Sequence, residues 1–593
     1  MTRLTFVAMA IQRLREEAPV AAQLLEMVAF LGPDPISTEL LWTGRGAELT
    51  EPLRSALQER NDIARAVRDL GRYGLARLEK ASRRMSVHRL VQLVLREELV
   101  AHRHDDGLRN ARRLLAAANP GYPDDRATWP RHAEIRSHVR AADLIHSDLD
   151  QRRTVMDHLR YIFNTGDFES CQALAEEIIE AWDRPVSDGG HGPDDHLTLL
   201  AYRRYADALR SLGDRRAVHF GRVAMDRMRE SLGERDEYTL GAVMGVAADL
   251  RIVGDFAAAR ELDDRNLQLH YELLGQGHPS TLRAMNSVAI NHRWAGNFQG
   301  AYDLDVEAEQ QSIAALGELE PWTFFAVEGQ ARDLVGLGRY AEALQVQQRV
   351  LPAQIELLGE HHLTVLRARI LIGAMLRKIG RITEALAVAH ENYRNHTIRF
   401  GLRHGQTIYA TVTYANTLRA AGEPTQALSL IADACASYRD LLGPRHPLTL
   451  CAEVNQAIVQ RAAGYARDAW LLDERILPVM REVLGADHPF TLALEVNHSG
   501  DLSRAHRLRE ARELSTAAWR RSIDVRGADH PYTLHAAVNA ANDLIQTDDA
   551  ARGEALLAQT ITALERVYGV DHPECHAARH YLRLECDLEP PMI

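Results

Sequence analysis

The chain of 593 residues contains only two lysines, Lys80 and Lys378, so arginine carries nearly all of its positive charge. Its five cysteines are scattered and none forms a CxxC pair, which predicts reduced, mostly buried thiols in a cytoplasmic protein. No apolar run approaches the ~18 residues that a membrane-spanning helix needs, so we expect no membrane span. The net charge of −12 makes nucleic acid an unfavoured partner.

Phosphate-binding and catalytic motifs are also missing. A nucleotide-binding loop G-x-x-x-x-G-K-[ST] needs its lysine to contact the phosphates. Neither Lys80, in ARLEKAS, nor Lys378, in MLRKIGR, follows a glycine loop. GxSxG and HExxH do not occur. The sequence therefore predicts a protein that is not an enzyme and has no catalytic residues, no metal site and no cofactor.

A phrase of the form G-x-x-H-P-x-T-L recurs along most of the chain, with clear copies from Gly275, Gly443, Gly485 and Gly527. Counting weaker copies, the spacing of the phrase is constant from Gly233 onward, and only the step before it is one position shorter. The phrase glycines are Gly192, Gly233, Gly275, Gly317, Gly359, Gly401, Gly443, Gly485, Gly527 and Gly569. A second glycine ladder lies midway through successive units. This period predicts helical hairpins that stack into a solenoid with a concave face.

One unit illustrates the predicted hairpin. Thr239 is expected to cap the first helix, Gly254 to end it in a left-handed conformation, and Pro279 to prevent the second helix from continuing. The unit beginning at Thr491 has no turn glycine, and we expect a local irregularity between Asn497 and His506.

The 42-residue unit resembles the long tetratricopeptide repeats of kinesin light chains, on the phrase LGxxHPxTL and on a turn glycine followed by an aromatic residue, as in Gly254-Asp255-Phe256. The resemblance implies an all-α fold, a right-handed tetratricopeptide α-solenoid. Residues 151–573 are predicted to form about ten hairpins. Residues 574–593 are predicted to form a capping helix and tail, with an inner face of Cys575, Ala578, Tyr581 and Leu582.

Residues 1–112 do not follow the repeat. Their phrases at 21–41, 65–78 and 85–102 resemble the winged-helix region of bacterial NB-ARC signalling NTPases, in many of which a tetratricopeptide array follows. The chain also resembles the repeat protein of FxSxx-COOH peptide systems. We therefore predict a winged-helix-like domain at 1–112 and a helical linker at 113–150.

A histidine ladder raises the question of a metal site. Equivalent helices of neighbouring repeats lie ~10 Å apart, whereas zinc–nitrogen bonds are ~2 Å, so the favoured role is that of a loop and capping residue. The ladder comprises His278, His362, His404, His446, His488, His530 and His572.

Arginines three residues before the turn glycines allow two interpretations. They could interact with the helix C-terminus, or they could line the concave groove and bind carboxylates or phosphates. Both remain open. With Arg332, which shares their helix face, the predicted groove arginines are Arg210, Arg251, Arg293, Arg332, Arg377, Arg419 and Arg461. The first helices also carry asparagines, namely Asn286, Asn416, Asn455, Asn497, Asn539 and Asn542. Of these, the kinesin-light-chain resemblance implies roles in ligand binding for Asn286, Asn416 and Asn542.

Two functions follow from this pattern. The first is a binding scaffold whose groove holds a peptide, a protein segment or a second copy of the chain, in a bacterial signalling system. The second is the regulatory half of an NB-ARC-type NTPase whose nucleotide-binding core is absent from this chain. The acidic array favours cationic or mixed-charge partners.

Overall fold

The computed structural model describes residues 3–79, 83–102, 104–547 and 549–592, and the chain divides into two compact units, residues 1–231 and 232–593. Lys80 lies outside the described residues. Among the helices of the described ranges, none is long and apolar enough to cross a membrane.

Unit 1 begins with helices around a small antiparallel sheet of order β1-β3-β2. Ser37 caps α3 by accepting a hydrogen bond from the Leu40 amide, and α5 buries a stripe that includes Ile63, Val67 and Leu70. The elements are α1 (Arg3–Glu17), α2 (Pro19–Val28), β1 (Ile36–Ser37), α3 (Thr38–Thr43), α4 (Leu53–Ala56), α5 (Arg60–Arg72), β2 (Ala76–Glu79), β3 (Arg84–Val87) and α6 (Arg89–Ala101).

The rest of unit 1 is helical. Helix α7 runs through residue 112, where a domain boundary is predicted, and it packs closely on α2: a Cβ on Gly107 would lie 2.7 Å from the Glu26 carbonyl oxygen. The helices are α7 (Asp106–Ala118), α8 (Trp129–Val139), α9 (Leu149–Asn164), α10 (Phe168–Trp182), α11 (His196–Ser211) and α12 (Arg216–Leu232).

Unit 2 consists of eight helical hairpins and a short last helix within the described residues. From α15 onward, the first helices of successive hairpins begin at a constant spacing along the chain. The helices are α13 (Glu237–Val253), α14 (Phe256–Leu274), α15 (Pro279–Trp294), α16 (Phe298–Ala315), α17 (Pro321–Gly336), α18 (Tyr340–Leu358), α19 (Leu363–Lys378), α20 (Ile382–Phe400), α21 (Gly405–Ala420), α22 (Pro424–Leu442), α23 (Pro447–Ala462), α24 (Ala466–Val483), α25 (Pro489–Arg504), α26 (Leu508–Arg526), α27 (Pro531–Gln546), α28 (Ala550–Tyr568) and α29 (Pro573–Arg579).

The histidine ladder caps the first helices, as predicted. In each case the ring Nδ1 accepts a hydrogen bond from the amide two residues later, at 3.0–3.3 Å. The predicted cap at Thr239 is wrong, because Asp236 accepts the hydrogen bonds from the first amides of α13 and Thr239 already lies in the helix. Gly254 ends α13 with φ +90°, as predicted.

Four of these histidines also join successive superhelical turns of unit 2. His446 Nε2 lies 3.2 Å from the Arg251 carbonyl oxygen and His488 Nε2 lies 3.1 Å from that of Trp294. His530 and His572 repeat the contact at 3.2 Å with Gly336 and Lys378, each 194 residues earlier. For a 42-residue repeat, this separation is about 4.6 repeats, which is therefore the length of one superhelical turn.

The turn glycines permit this close approach. A Cβ on Gly338 would lie 2.3 Å from Pro531 Cδ, and one on Gly296 would lie 2.5 Å from Pro489 Cδ. The His-Pro phrase of one superhelical turn thus contacts the turn glycine of a hairpin in the preceding superhelical turn.

These contacts predict a pH dependence of stability. Burial lowers the pKa of His446 and of His488 to about 4, and protonation would also place a hydrogen on the capping Nδ1. The unfolded chain takes up protons near pH 6.5, so unit 2 is expected to lose stability as the pH falls from about 6.5 towards 4. We expect His446→Asn/His488→Asn, which keeps a capping oxygen, to flatten this dependence in thermal unfolding. The matched exposed variant His390→Asn should leave the slope unchanged.

Two expectations are wrong. The unit from Thr491 is regular, because His506 adopts φ +58° and takes the place of the turn glycine; α25 has the same 16 residues as its neighbours. The last helix covers only seven residues and ends at Arg579. Of its expected inner face, Cys575 and Ala578 are buried, whereas Tyr581 and Leu582 are exposed.

Candidate functional site

Residues Arg583–Met592, here called the groove segment, follow α29 as extended chain without helix or strand. They run along the first helices of unit 2 from α27 back towards α17, and the helix faces that they contact are called the groove. Leu584, Cys586 and Leu588 are each at most 2% exposed.

Three asparagines hold the main chain of the groove segment. Asn539 Nδ2 donates to the Leu584 carbonyl at 2.9 Å, and its Oδ1 accepts from the Leu584 amide at 2.9 Å. Asn497 makes the same pair with Cys586, at 3.1 and 2.7 Å. Asn455 makes it with Leu588, at 2.9 and 2.8 Å. Each amide satisfies both main-chain groups of one residue, so this grip does not depend on that residue's side chain.

The spacing of these asparagines matches the spacing of the residues that they hold. Asn455, Asn497 and Asn539, here called the asparagine ladder, lie one repeat apart from each other. The residues that they hold lie two apart, because alternate residues of an extended chain present their main-chain groups to the same edge. The next position of the ladder is Thr413, opposite Pro590, which has no amide hydrogen to donate. There the Pro590 carbonyl instead accepts a hydrogen bond from the Tyr409 hydroxyl at 2.9 Å.

Asp587 is the electrostatic centre of the groove. Its carboxylate pairs with Arg377 and Lys378, and with Arg419 at 3.0 Å. The Tyr532 hydroxyl donates to the same carboxylate at 3.0 Å. Burial opposes ionisation, but the three cations hold the pKa of Asp587 well below its ordinary range.

Two further carboxylates flank Asp587 on alternate residues. Glu585 pairs with Arg461, which also pairs with Asp473 at 2.7 Å inside the array. Glu589 pairs with Arg377, although burial raises the pKa of Glu589. The groove therefore combines a sequence-independent hold on the main chain with cations that face side chains at every second residue.

Five of the predicted groove residues contact the groove segment or the chain just before it. Arg377, Arg419 and Arg461 make the ion pairs described above. Asn542 donates to the Tyr581 carbonyl at 3.2 Å, and Arg332 lies 3.8 Å from Met592 Sδ.

Two other predicted arginines make buried ion pairs inside the array, and only that of Arg293 with Asp333 crosses from one repeat to the next. Arg251 pairs with Asp263 at 2.5 Å, and Arg293 pairs with Asp333 at 2.6 Å and also with Asp305. Arg251 and Arg293 are at most 4% exposed. Their guanidinium groups bond to side chains of neighbouring helices and not to the groove segment.

The remaining predicted residues lie apart from the groove segment. Arg210 belongs to unit 1, where it pairs with Asp207 at 2.8 Å. Asn286 is half-buried in α15, and no hydrogen bond joins it to the groove segment within the described residues. Asn416 is fully buried in α21, and its amide atoms have no hydrogen-bond partner among the described residues.

The asparagine ladder is the feature that sequence reasoning missed. Asn455, Asn497 and Asn539 recur in three successive repeats, whereas Asn416 and Asn542 share a register only three repeats apart and Asn286 falls in neither register. A search of the sequence for asparagines that recur in successive repeats therefore finds this ladder.

Removing one asparagine of the ladder should make the groove segment easier to release from the groove. Asn497→Ala leaves the buried amide and carbonyl of Cys586 without partners, at a cost of ~1–3 kcal/mol for each group. We expect the Cys586 amide to exchange with deuterium at least ~10-fold faster in native protein, measured by mass spectrometry. Asn286→Ala is the matched control and should leave that rate unchanged. Equal protection in both variants would mean that the asparagine does not hold the segment.

Comparison with protein-family profiles supports the repeat assignment. Residues 324–391 match one tetratricopeptide repeat profile, and residues 239–280, 414–448 and 533–574 match another. Residues 9–104 match a domain of unknown function, DUF7779. Among curated proteins, none matches this sequence.

Similar solved structures include a Podosopora anserina protein with nearly identical kinesin-light-chain TPR-like repeats, at 20% identity and a TM-score of 0.28, covering 35% of this chain and 97% of that one. Rap protein complexed with competence and sporulation factor is 11% identical, with a TM-score of 0.41; the match covers 58% of this chain and 96% of that one. A STAND signal-transduction ATPase with a tetratricopeptide sensor from Pyrococcus horikoshii is 11% identical, with a TM-score of 0.34; the match covers 91% of this chain and 62% of that one. The helical array of this chain is built from tetratricopeptide repeats.

Proposed function

We propose that this chain is a non-enzymatic scaffold that binds a protein partner by holding an extended segment of it in the groove of unit 2. Tetratricopeptide arrays are protein-interaction scaffolds, and stacked helical repeats offer extended concave binding surfaces. The fold alone does not select a ligand. The proposal therefore depends on the site.

The observation that carries the proposal is the asparagine ladder. Asn455, Asn497 and Asn539 each satisfy both main-chain groups of one residue of an extended chain. An amide that bonds only to its own helix would serve packing, whereas these amides bond to a chain that is not part of any hairpin. Recognition of the main chain, with side-chain contacts for selectivity, is how extended peptides are bound elsewhere.

The test is a peptide-display selection. A random peptide library is selected against the chain truncated after Leu582 and against the same chain carrying Asn497→Ala/Asn539→Ala. We expect peptides to enrich on the first and to bind the second at least ~10-fold more weakly, since each lost main-chain pair costs ~1 kcal/mol or more. Circular dichroism should show the same helicity for both chains. Enrichment of no peptide, or equal binding by both chains, would contradict the proposal.

A second candidate function is the regulatory half of an NB-ARC-type signalling NTPase. The order α2, β1, α3–α5, β2, β3 with a sheet of order β1-β3-β2 resembles that of winged-helix domains, and this likeness supports the proposal for residues 1–112. The DNA on either side of the coding sequence is the test. A neighbouring or in-frame G-x-x-x-x-G-K-[ST] module would favour the second function, and its absence would leave the scaffold.

A further inference from the structure

We infer that the groove segment is a built-in competitor, and that the partner of the groove is an extended segment with carboxylates on alternate residues. The inference rests on the proposed function and names the chemistry of its ligand. It is carried by three features: the charge of the groove, the spacing of the carboxylates, and the attachment of the segment.

The groove is basic although the chain is acidic. Arg377, Lys378 and Arg419 are buried or half-buried, and all the ion pairs that they make within the described residues are with Asp587 or Glu589. A segment that covered these cations without supplying anions would leave buried, unpaired charges, which is strongly unfavourable. The groove therefore favours a segment that carries carboxylates, whichever chain supplies it.

The spacing of the carboxylates follows from the asparagine ladder. Because the ladder holds alternate residues 584, 586 and 588 of an extended chain, the side chains of the residues between them, 585, 587 and 589, share one face of that chain. All three are acidic, and all three pair with cations of the first helices. Carboxylates on consecutive residues would place every second charge away from these cations.

The segment is attached in a way that permits release. It adds no helix to any hairpin, and the contacts between superhelical turns through His446, His488 and His530 do not involve it. Tyr581 and Leu582, which connect it to α29, are 52% and 58% exposed. Release therefore requires loss of the groove contacts only, and a second acidic segment can restore the same contacts.

The experiment uses a fluorescent peptide corresponding to residues 583–593. By fluorescence anisotropy, we expect it to bind the chain truncated after Leu582 at least ~10-fold more tightly than the full chain, where the internal segment competes. A peptide with glutamine or asparagine in place of Glu585, Asp587 and Glu589 should lose ~100-fold or more. A peptide of equal charge with its three carboxylates consecutive should also bind more weakly. Equal binding of these peptides, or equal binding by both chains, would overturn the inference.

If the chain truncated after Leu582 does not fold, that result counts against a releasable segment. A second measurement therefore uses the full chain. In the full chain, excess unlabelled peptide should accelerate tryptic cleavage after Arg583, because it traps the released state. No acceleration would overturn the inference. If library peptides bind the truncated chain but the 583–593 peptide does not compete with them, this inference fails while the proposed function stands. If nothing binds, both fail.

Discussion

Replacing Asp587 by asparagine is expected to release the groove segment. The substitution keeps the shape of the side chain but leaves Arg377, Lys378 and Arg419 without their shared carboxylate. Removing one partner of a buried ion pair costs ~3–5 kcal/mol, so the released fraction should rise by roughly 10²- to 10⁴-fold. Limited trypsin digestion measures this fraction through cleavage after Arg583, which lies at the start of the segment.

The control is Asp571→Asn, an exposed carboxylate in the loop before α29. It should leave cleavage after Arg583 as slow as in the original chain. If Asp587→Asn were protected to the same degree as Asp571→Asn, the ion pairs would not hold the segment.

Replacing Arg293 by methionine is expected to destabilise unit 2 itself. Arg293 joins Asp305 in its own hairpin to Asp333 in the next, and both carboxylates are fully buried. Without the guanidinium, two buried carboxylates face each other, at a cost of ~3–5 kcal/mol. The thermal unfolding midpoint should therefore fall by several degrees.

The deficit of this variant should shrink at lower pH. Burial and the neighbouring Asp333 already raise the pKa of Asp305 well above its ordinary value, and loss of Arg293 raises it further. A folded-state carboxyl with a raised pKa binds a proton that the unfolded chain does not, so protonation stabilises the variant as the pH falls. Arg381→Met, which breaks the exposed pair with Glu384, should show no measurable change at any pH. A pH-independent deficit in Arg293→Met would contradict the electrostatic explanation.

The repeat period allowed the helices and their caps to be predicted from sequence, because both depend on residues close together in the chain. The histidine caps and Gly254 are of this kind. His506 is an exception of the same local kind, since a histidine adopted the left-handed conformation that glycine adopts in other repeats.

Contacts between superhelical turns could not be predicted in the same way. The pairing of His488 with the carbonyl of Trp294 depends on the rotation accumulated over several repeats, and no single repeat encodes that rotation. The ladders of His-Pro and glycine were visible in the sequence, but their meeting between distant repeats was not.

The path of residues 580–592 was also beyond local reasoning. The apolar spacing from Cys575 to Leu582 favours a helix, but pairing with Asn539 and Asn497 satisfies the main chain in extended form, and Pro590-Pro591 cannot continue a helix. The net charge describes the array as a whole and not the groove. The array is acidic overall, whereas the cations converge on the groove, so we expect anionic segments to bind there.

The most direct test of this account compares thiol labelling at Cys586, in the groove segment, with labelling at Cys451, in α23 of the array. Both side chains are fully buried, and burial raises the pKa of both thiols, so neither reacts until it is exposed. In the full chain, the account predicts that Cys586 labels at least ~10-fold faster than Cys451, because release of the segment is easier than opening of the array. Excess 583–593 peptide, with serine in place of its own cysteine, should accelerate labelling of Cys586 of the protein alone. Equal rates for the two cysteines, with no response to the peptide, would show that the segment is a fixed part of the core and would contradict the account.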